Sequence, residues 1–290
     1  MANNTTKYYL ETNALYSLIN KIDLFVDSSD VSTSLFAFEE LIDGIDSENY
    51  HKRKVMLSKL KASKLKIYPY LPMECIAISF GLDISGLPIV QEKKILLWKK
   101  VNLVISSNDY ITFVNELKEK ENIDFQKEKE AIDKHETVVA KNLKELISQK
   151  SNELDAIKQR QIIEPEYYNI NIEDIFLEPN EKLTYEHEKL LLTQLLNLCG
   201  ISYESSDIDK VVHDYDGRQL VAFILGQSAY TWNRSHHKRS TEYNDIPDLS
   251  HLLYLKDENY VIVSNDKIYD NATLAQMRMK PDDFLKGFDN

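Results

Sequence analysis

The most constraining feature of this sequence is a long charged stretch in its middle that contains neither glycine nor proline. It covers residues 113–160, and apolar residues recur through it at helical spacing. The recurring positions are Ile132, Val139, Leu143, Leu146, Leu154 and Ile157. A single apolar stripe on a charged background predicts one long amphipathic helix, or an antiparallel helical pair with a coiled-coil-like seam.

The segments on either side of this stretch alternate between strand-like and helix-like patterns. Before it we predict a strand at 7–10, a helix at 14–22, a polar turn at 27–32, a helix ending at Gly44, a basic helix at 50–64 and a strand at 65–71. After it we predict a helix at 244–255, a strand at 260–266 and a short helix at 280–288. The residue Gly44 suits a left-handed position at a helix C-terminus.

Strands separated by helices indicate an α/β fold with a central, mostly parallel sheet. The helical middle section interrupts this pattern, so we predict three parts. Residues 1–88 form the first part of the α/β domain, residues 89–240 a large α-helical insertion, and residues 241–290 the closing part. The insertion is interpreted as a scaffold or as a contact for a protein partner or a second copy of the chain.

Composition and charge exclude some classes of protein. The chain has 290 residues and a net charge of −12, which disfavours a protein that coats nucleic acid non-specifically. No apolar run approaches the roughly 20 residues that cross a bilayer, so we expect no membrane contact and a cytoplasmic location. Two basic segments, 51–66 and 234–239, are interpreted either as solvated surface or as phosphate-contacting surface.

Four carboxylates are expected to meet although they are far apart in the chain. Glu11 and Asp266 follow the ends of predicted strands, and parallel strands place ligand sites at their carboxyl ends. Glu40 lies in a predicted helix, and Asp248 falls in the first turn of another, with Asp245 as the second choice for that role. Oxygen-only ligands that repel one another suit Mg²⁺ or Mn²⁺. His251, one turn after Asp248, is expected to pack or cap locally.

Several short motifs resemble those of the PIN-domain nucleases. "YYLETNALY" looks like the family's opening strand and first acid, and "EELIDGI" is similar to its Glu-Leu-x-x-Gly helix. "DLSHLLYL" with "YVIVSNDK" resembles its later Asp helix and acidic strand end, and "KPDDFLKGF" resembles its Pro-x-x-Phe-Leu ending. The motifs occur in the family's order, over roughly residues 5–85 and 242–288.

The resemblance implies a PIN-like three-layer fold and a metal-dependent endoribonuclease that acts on RNA. Its catalytic and metal-binding residues would be Glu11, Glu40, Asp248 and Asp266, with Asp245 as a further metal ligand. It further implies a role as a toxin under an antitoxin's control, or as an effector in phage defence.

The first acid of this chain departs from the family pattern. The family has Asp where this chain has Glu11, and the side chain is longer by one carbon–carbon bond of about 1.5 Å. Either the backbone compensates, or the metal site is weakened or lost. The alternative to the nuclease is therefore a catalytically impaired PIN-like module that binds a protein through its helical insertion.

Overall fold

Five strands form one sheet in the computed structural model, which describes residues 5–167, 181–215, 218–237, 245–257, 259–270 and 274–288. The strands are β1 (Lys7–Leu10), β2 (Val31–Ser34), β3 (Lys66–Tyr68), β4 (Tyr260–Val263) and β5 (Arg278–Met279). Their order is β3-β2-β1-β4-β5, and every neighbouring pair is parallel. The predicted α/β class with a parallel sheet is confirmed.

The helices are, in chain order, α1 (Thr12–Leu18), α2 (Leu35–Asp43), α3 (Tyr50–Ala62), α4 (Pro72–Ser79), α5 (Pro88–Ser106), α6 (Tyr110–Glu121), α7 (Phe125–Ile163), α8 (Glu181–Leu198), α9 (Ser205–Asp214), α10 (Val221–His236), α11 (Asp245–Ser250) and α12 (Pro281–Lys286). Short 3₁₀ helices follow α1 at Ile19–Leu24 and α11 at His251–Tyr254. The helix predicted at 14–22 thus begins earlier and changes to the tighter 3₁₀ form.

Each face of the sheet is covered by its own hydrophobic core. Successive strand residues point to opposite faces, so Leu10 and Val263 lie in one core while Tyr9 and Ile262 lie in the other. The first core includes residues of α5 and α6, and the second includes residues of α8, α9 and α10. The helical middle section therefore packs against both faces, and its predicted boundaries at 88/89 and 240/241 stay a prediction.

Strand β2 overlaps the end of the polar turn that the sequence predicts at 27–32. Its residues Val31–Ser34 are all buried, although three of the four are hydroxyl residues. Ser32 donates from its hydroxyl to the carbonyl oxygen of Tyr8 at 3.2 Å, and Thr33 donates to that of Leu10 at 2.8 Å. Because the neighbouring strand β1 satisfies these hydroxyls, a polar segment can occupy the centre of the sheet.

Gly44 ends α2 as predicted, but not in the left-handed conformation. Its φ is −81°, which any residue can adopt. A side chain at this position would instead collide with the guanidinium group of Arg53. That group donates from Nη1 to the carbonyl oxygens of Glu40 and Leu41, both at 2.8 Å, and so satisfies the last turn of α2. Glycine at this position leaves room for the Arg53 guanidinium group, and its backbone conformation is an ordinary one.

The charged middle stretch forms two helices, of which the second is very long. Asn122 adopts the left-handed conformation with φ 57° and separates α6 from the 39 residues of α7. Ile147 and Leu154 of α7 are buried, whereas the side chains of Val139 and Leu146 lie outside the described residues. The sequence also predicts an irregular connection at 165–179, and residues 168–179 of it lie outside the described residues. In the described parts of the chain, no helix combines the length and apolar character needed to span a membrane.

Candidate active site

The candidate site is a cavity at the carboxyl edge of the sheet. Strand β1 lies between β2 and β4. The chain therefore continues from β1 to β2 on one side of β1 and later adds β4 on the other side. Ligands of parallel sheets bind at such switch points. A cavity of about 920 Å³ is found there, and its lining includes Glu11, Glu40, Asp248 and Asp266. The structure thus brings four of the five predicted acids to one cavity.

Glu11 is buried directly after β1 and serves as the N-cap of α1. One carboxylate oxygen accepts from the backbone N–H of Asn13 at 2.7 Å, and the other from that of Ala14 at 2.9 Å. Burial raises the pKa of Glu11 to about 7, while the charge of His251 and the hydrogen bond from Asn13 oppose the rise.

Glu40 reaches the cavity from α2 and is held by two side chains. Its Oε2 atom accepts a hydrogen bond from the hydroxyl of Thr12 and lies 2.6 Å from Nε2 of His251. The adjacent Glu39 forms an ion pair with Lys93 at 2.7 Å.

His251 connects the site to the interior, which the sequence analysis did not anticipate. Its Nδ1 atom lies 2.7 Å from the hydroxyl of Tyr9, which in turn lies 2.7 Å from Oγ of Ser34. Burial by itself lowers the pKa of the imidazole, but the charges of Glu40 and Glu11 outweigh it and the pKa of His251 is raised. A protonated His251 can donate to Glu40 and to Tyr9 at once. The only sequence signal was its spacing of one turn from Asp248.

Asp248 and Asp266 complete the acidic side of the cavity. Burial raises the pKa of Asp248 to about 9, and the charges of Asp266, Glu40 and Glu11 add to the rise. Asp266 is fixed by its own turn, because its Oδ1 accepts from the backbone N–H of Ile268 at 2.9 Å. The neighbouring carboxylates thus add to the effect of burial on Asp248, and a positive charge among them would be stabilised.

Asp245, the second choice for the role of Asp248, has a different environment. It is buried and accepts hydrogen bonds from the hydroxyl of Tyr230 and from Nη2 of Arg234, the latter at 3.0 Å. It does not belong to the cavity lining among the described residues. One side of the first turn of α11 faces α10 and the other faces the cavity. Asp245 lies on the α10 side and pairs with Arg234, whereas Asp248 lies on the cavity side.

We expect Asp245→Asn to reduce stability and to leave the cavity intact. The substitution removes the ion pair with Arg234, whose side chain is only 16% exposed. Loss of a hydrogen bond to a charged group costs about 1.5–3 kcal/mol. Urea unfolding would measure this loss, and circular dichroism would show whether the fold is kept. A variant as stable as the wild type would contradict the structural role of the pair.

A further acid lines the cavity that the sequence analysis did not select. Asp43 lies one turn after Glu40 on α2, and burial together with the charge of Glu39 raises its pKa to about 7. Its i, i+3 spacing from Glu40 was the available signal. The basic residues of the cavity lining are Arg53, Lys93 and Lys129.

The predicted phosphate-contacting segments contribute little to this cavity. From 51–66 only Arg53 lines it, whereas Lys54 donates to the carbonyl of Ser107 and Lys59 to the side chain of Asn20. From 234–239, Arg234 pairs with Asp245, and residues 238 and 239 lie outside the described residues.

The donor chemistry of the acids fits a hard divalent cation, although their present arrangement does not surround one. Among the described residues, no three His, Cys, Asp or Glu side chains are grouped so that they could hold a metal ion. Both oxygens of Glu11 and the Oε2 atom of Glu40 are engaged by protein donors. Burial and the neighbouring carboxylates nevertheless raise the pKa of Asp248, and oxygen donors of this kind are those preferred by Mg²⁺ and Mn²⁺.

Comparisons with other proteins do not add to this description. Neither a protein-family model, nor a curated protein, nor a solved structure matches the chain.

Proposed function

We propose that this protein is a PIN-like, metal-dependent endonuclease that hydrolyses phosphodiester bonds of single-stranded RNA. The observation that carries the proposal is the convergence of four carboxylates, from four separate segments, on one cavity at the switch point of a parallel sheet. The preference for RNA rests on the resemblance of the motifs alone. A role as a toxin, with an antitoxin as partner, or as a phage-defence effector belongs to the same proposal.

In this proposal Glu11, Glu40, Asp248 and Asp266 would hold one or more Mg²⁺ or Mn²⁺ ions. Such an ion would supply a Lewis acid for the phosphate oxygens and would lower the pKa of a bound water molecule. Thr12 and His251 keep the Glu40 carboxylate in place from two sides. Outer partners of this kind orient metal ligands and preserve their charge.

The test is cleavage of labelled single-stranded RNA by the purified protein with Mn²⁺, with EDTA, and with a Glu40→Gln variant in Mn²⁺. We expect cleavage only by the wild type in Mn²⁺. The variant should lose on the order of 10²-fold or more, because changes even outside the first ligand shell of a metal cost roughly 10–100-fold. Cleavage that persists in EDTA or in the variant would indicate a contaminating nuclease.

A second candidate function is a non-catalytic module that binds a protein partner. It is favoured by the conformation of Glu11, whose two oxygens are both used to cap α1. The same assay separates the two functions, since a module would leave the RNA intact with every metal tested.

A further inference from the structure

Three basic side chains line the same cavity as the acids, and two of them come from the helical middle section. Arg53 belongs to α3, Lys93 to α5 and Lys129 to the second turn of α7. The middle section therefore contributes cations to one wall of the cavity, here called the basic wall, although Asp133 of α7 and Glu39, the partner of Lys93, are also part of the lining.

Lys129 is anchored in a way that leaves it able to bind a ligand. Its Nζ atom donates to the carbonyl oxygen of Ile45, just beyond α2, at 2.8 Å. An ammonium group has three N–H donors. One donor thus holds the side chain against the residue that follows the end of α2, and among the described residues no second hydrogen bond of this ammonium group is found, so it can donate to an anion.

The other two basic residues are also held in place. Lys93 is paired with Glu39, and its side chain is 48% exposed. Arg53 uses Nη1 for the last turn of α2, while its buried Nε has no hydrogen-bond partner among the described residues. Ordered cations of this kind lose little side-chain entropy when an anion binds.

A phosphodiester chain needs such cations to approach this site. The four carboxylates repel a polyanion, and neutralisation of phosphates by Lys and Arg supplies most of the affinity in non-specific nucleic-acid binding. The cavity also exposes Tyr16 and Phe36, and apolar Ile132 of α7 lies on the basic wall. Aromatic side chains beside a basic groove are the usual platform for unpaired bases.

The size of the cavity favours a single strand over a duplex. Its volume of about 920 Å³ falls within the roughly 300–1,000 Å³ of pockets that enclose one drug-sized ligand. A few unpaired nucleotides fit into such a space, whereas a double helix does not.

We propose that the helical middle section binds the substrate backbone, with Lys129 of α7 contacting a phosphate of a single-stranded nucleic acid in the cavity and Lys93 beside it. This inference rests on the proposed function and extends it, because it gives the middle section a role in substrate binding. It also moves the expected phosphate contact from the basic segments 51–66 and 234–239 to α5 and α7.

The test compares Lys129→Gln with Lys127→Gln in binding to a short fluorescein-labelled oligouridylate. Lys127 lies on the same helix with its side chain 81% exposed, and it is not part of the cavity lining, so both variants change the net charge equally. Fluorescence anisotropy in EDTA at several salt concentrations gives the dissociation constant and its salt dependence without cleavage.

We expect Lys129→Gln to weaken binding several-fold and to reduce the slope of log affinity against log salt by about 0.7, the value for one phosphate contact on a single strand. Lys127→Gln should keep the wild-type slope, and Lys129→Arg, which keeps the charge, should largely restore it. Equal shifts for Lys127→Gln and Lys129→Gln would overturn the proposal, as would the absence of measurable binding by the wild type.

Two further arms make the result specific. An RNA duplex added as competitor should displace the oligouridylate poorly, and equal competition would overturn the single-strand assignment. A wild type that binds through Lys129 but never cleaves in Mn²⁺ would overturn the nuclease and leave the binding site standing. Thermal melting of Lys129→Gln shows whether loss of the hydrogen bond to Ile45 destabilises the protein. If it does, the binding measurement is repeated with Lys93→Gln.

Discussion

Asp248→Asn is expected to abolish cleavage and, at the same time, to raise the melting temperature of the metal-free protein. The two effects have one cause. Burial and the neighbouring carboxylates raise the pKa of Asp248 to about 9. Ionised Asp248 is therefore costly in the folded protein without a cation, yet it is the form that would hold one.

The loss of cleavage should reach at least about 10³-fold, since a missing ligand costs more than the 10–100-fold lost with an outer partner. The gain in stability follows from linkage: each tenfold change in proton affinity is worth about 1.4 kcal/mol. Even one such step raises the melting temperature of a protein of this size by roughly 2–4 °C.

A matched control is Asp23→Asn, which removes the same charge from an exposed position. That variant should cleave like the wild type and melt at nearly the same temperature. An active Asp248→Asn would remove Asp248 from the mechanism. A less stable Asp248→Asn in EDTA would show that the carboxylate is satisfied by the protein itself, which contradicts the electrostatic description of the cavity.

The second large effect is a pH-dependent stabilisation by Mn²⁺. The pKa values of Asp248 and Glu11 are raised to about 9 and about 7, both above the value of roughly 4 for an unfolded carboxyl group. Between about pH 4 and these raised pKa values, the folded state binds more protons than the unfolded state. The stability contributed by the two groups is therefore complete below about pH 4 and is lost as pH rises through the folded pKa values.

Mn²⁺ competes with protons for the same oxygens, so its effect should grow as the pH rises. We expect the melting temperature in EDTA to fall from about pH 5 to about pH 8, and Mn²⁺ to restore most of the loss at the higher pH. Thermal melts by circular dichroism, with and without Mn²⁺, measure both trends. Asp248→Asn should show a flatter pH dependence and a smaller response to Mn²⁺.

A shift by Mn²⁺ that is the same at both pH values, or the same in Asp248→Asn, would mean that the ion binds elsewhere. In that case the four acids would share a cavity without sharing a cation. The second candidate function, a protein-binding module, would then describe the protein better.

The strands with clear apolar patterns could be predicted from the sequence, and β2 could not. Residues 7–10 and 260–263 are short runs of apolar and aromatic residues bounded by polar ones, and they form β1 and β4. Strand β2 has the sequence VSTS, and its buried Ser32 and Thr33 hydroxyls are satisfied by carbonyl groups of β1. That partnership joins residues more than twenty positions apart, so no local pattern contains it.

The candidate site, too, could be predicted from the sequence only in part. The positions of Glu11 and Asp266 after strands were sufficient to predict a shared edge, because parallel strands align their carboxyl ends. The choice between Asp245 and Asp248 depended on which side of α11 faces Arg234 and which faces the cavity. His251 was expected to act locally, yet it joins Glu40 to Tyr9 across three elements of the fold.

By itself, the sequence determined the α/β class, the long helices and the acids that follow strands, because each depends on patterns within a few residues. Only the tertiary structure decided which acids meet, that Glu11 caps its own helix, and that Lys129 of α7 reaches the cavity. The physical reason is that charges interact through space over a few ångströms, whatever their separation along the chain.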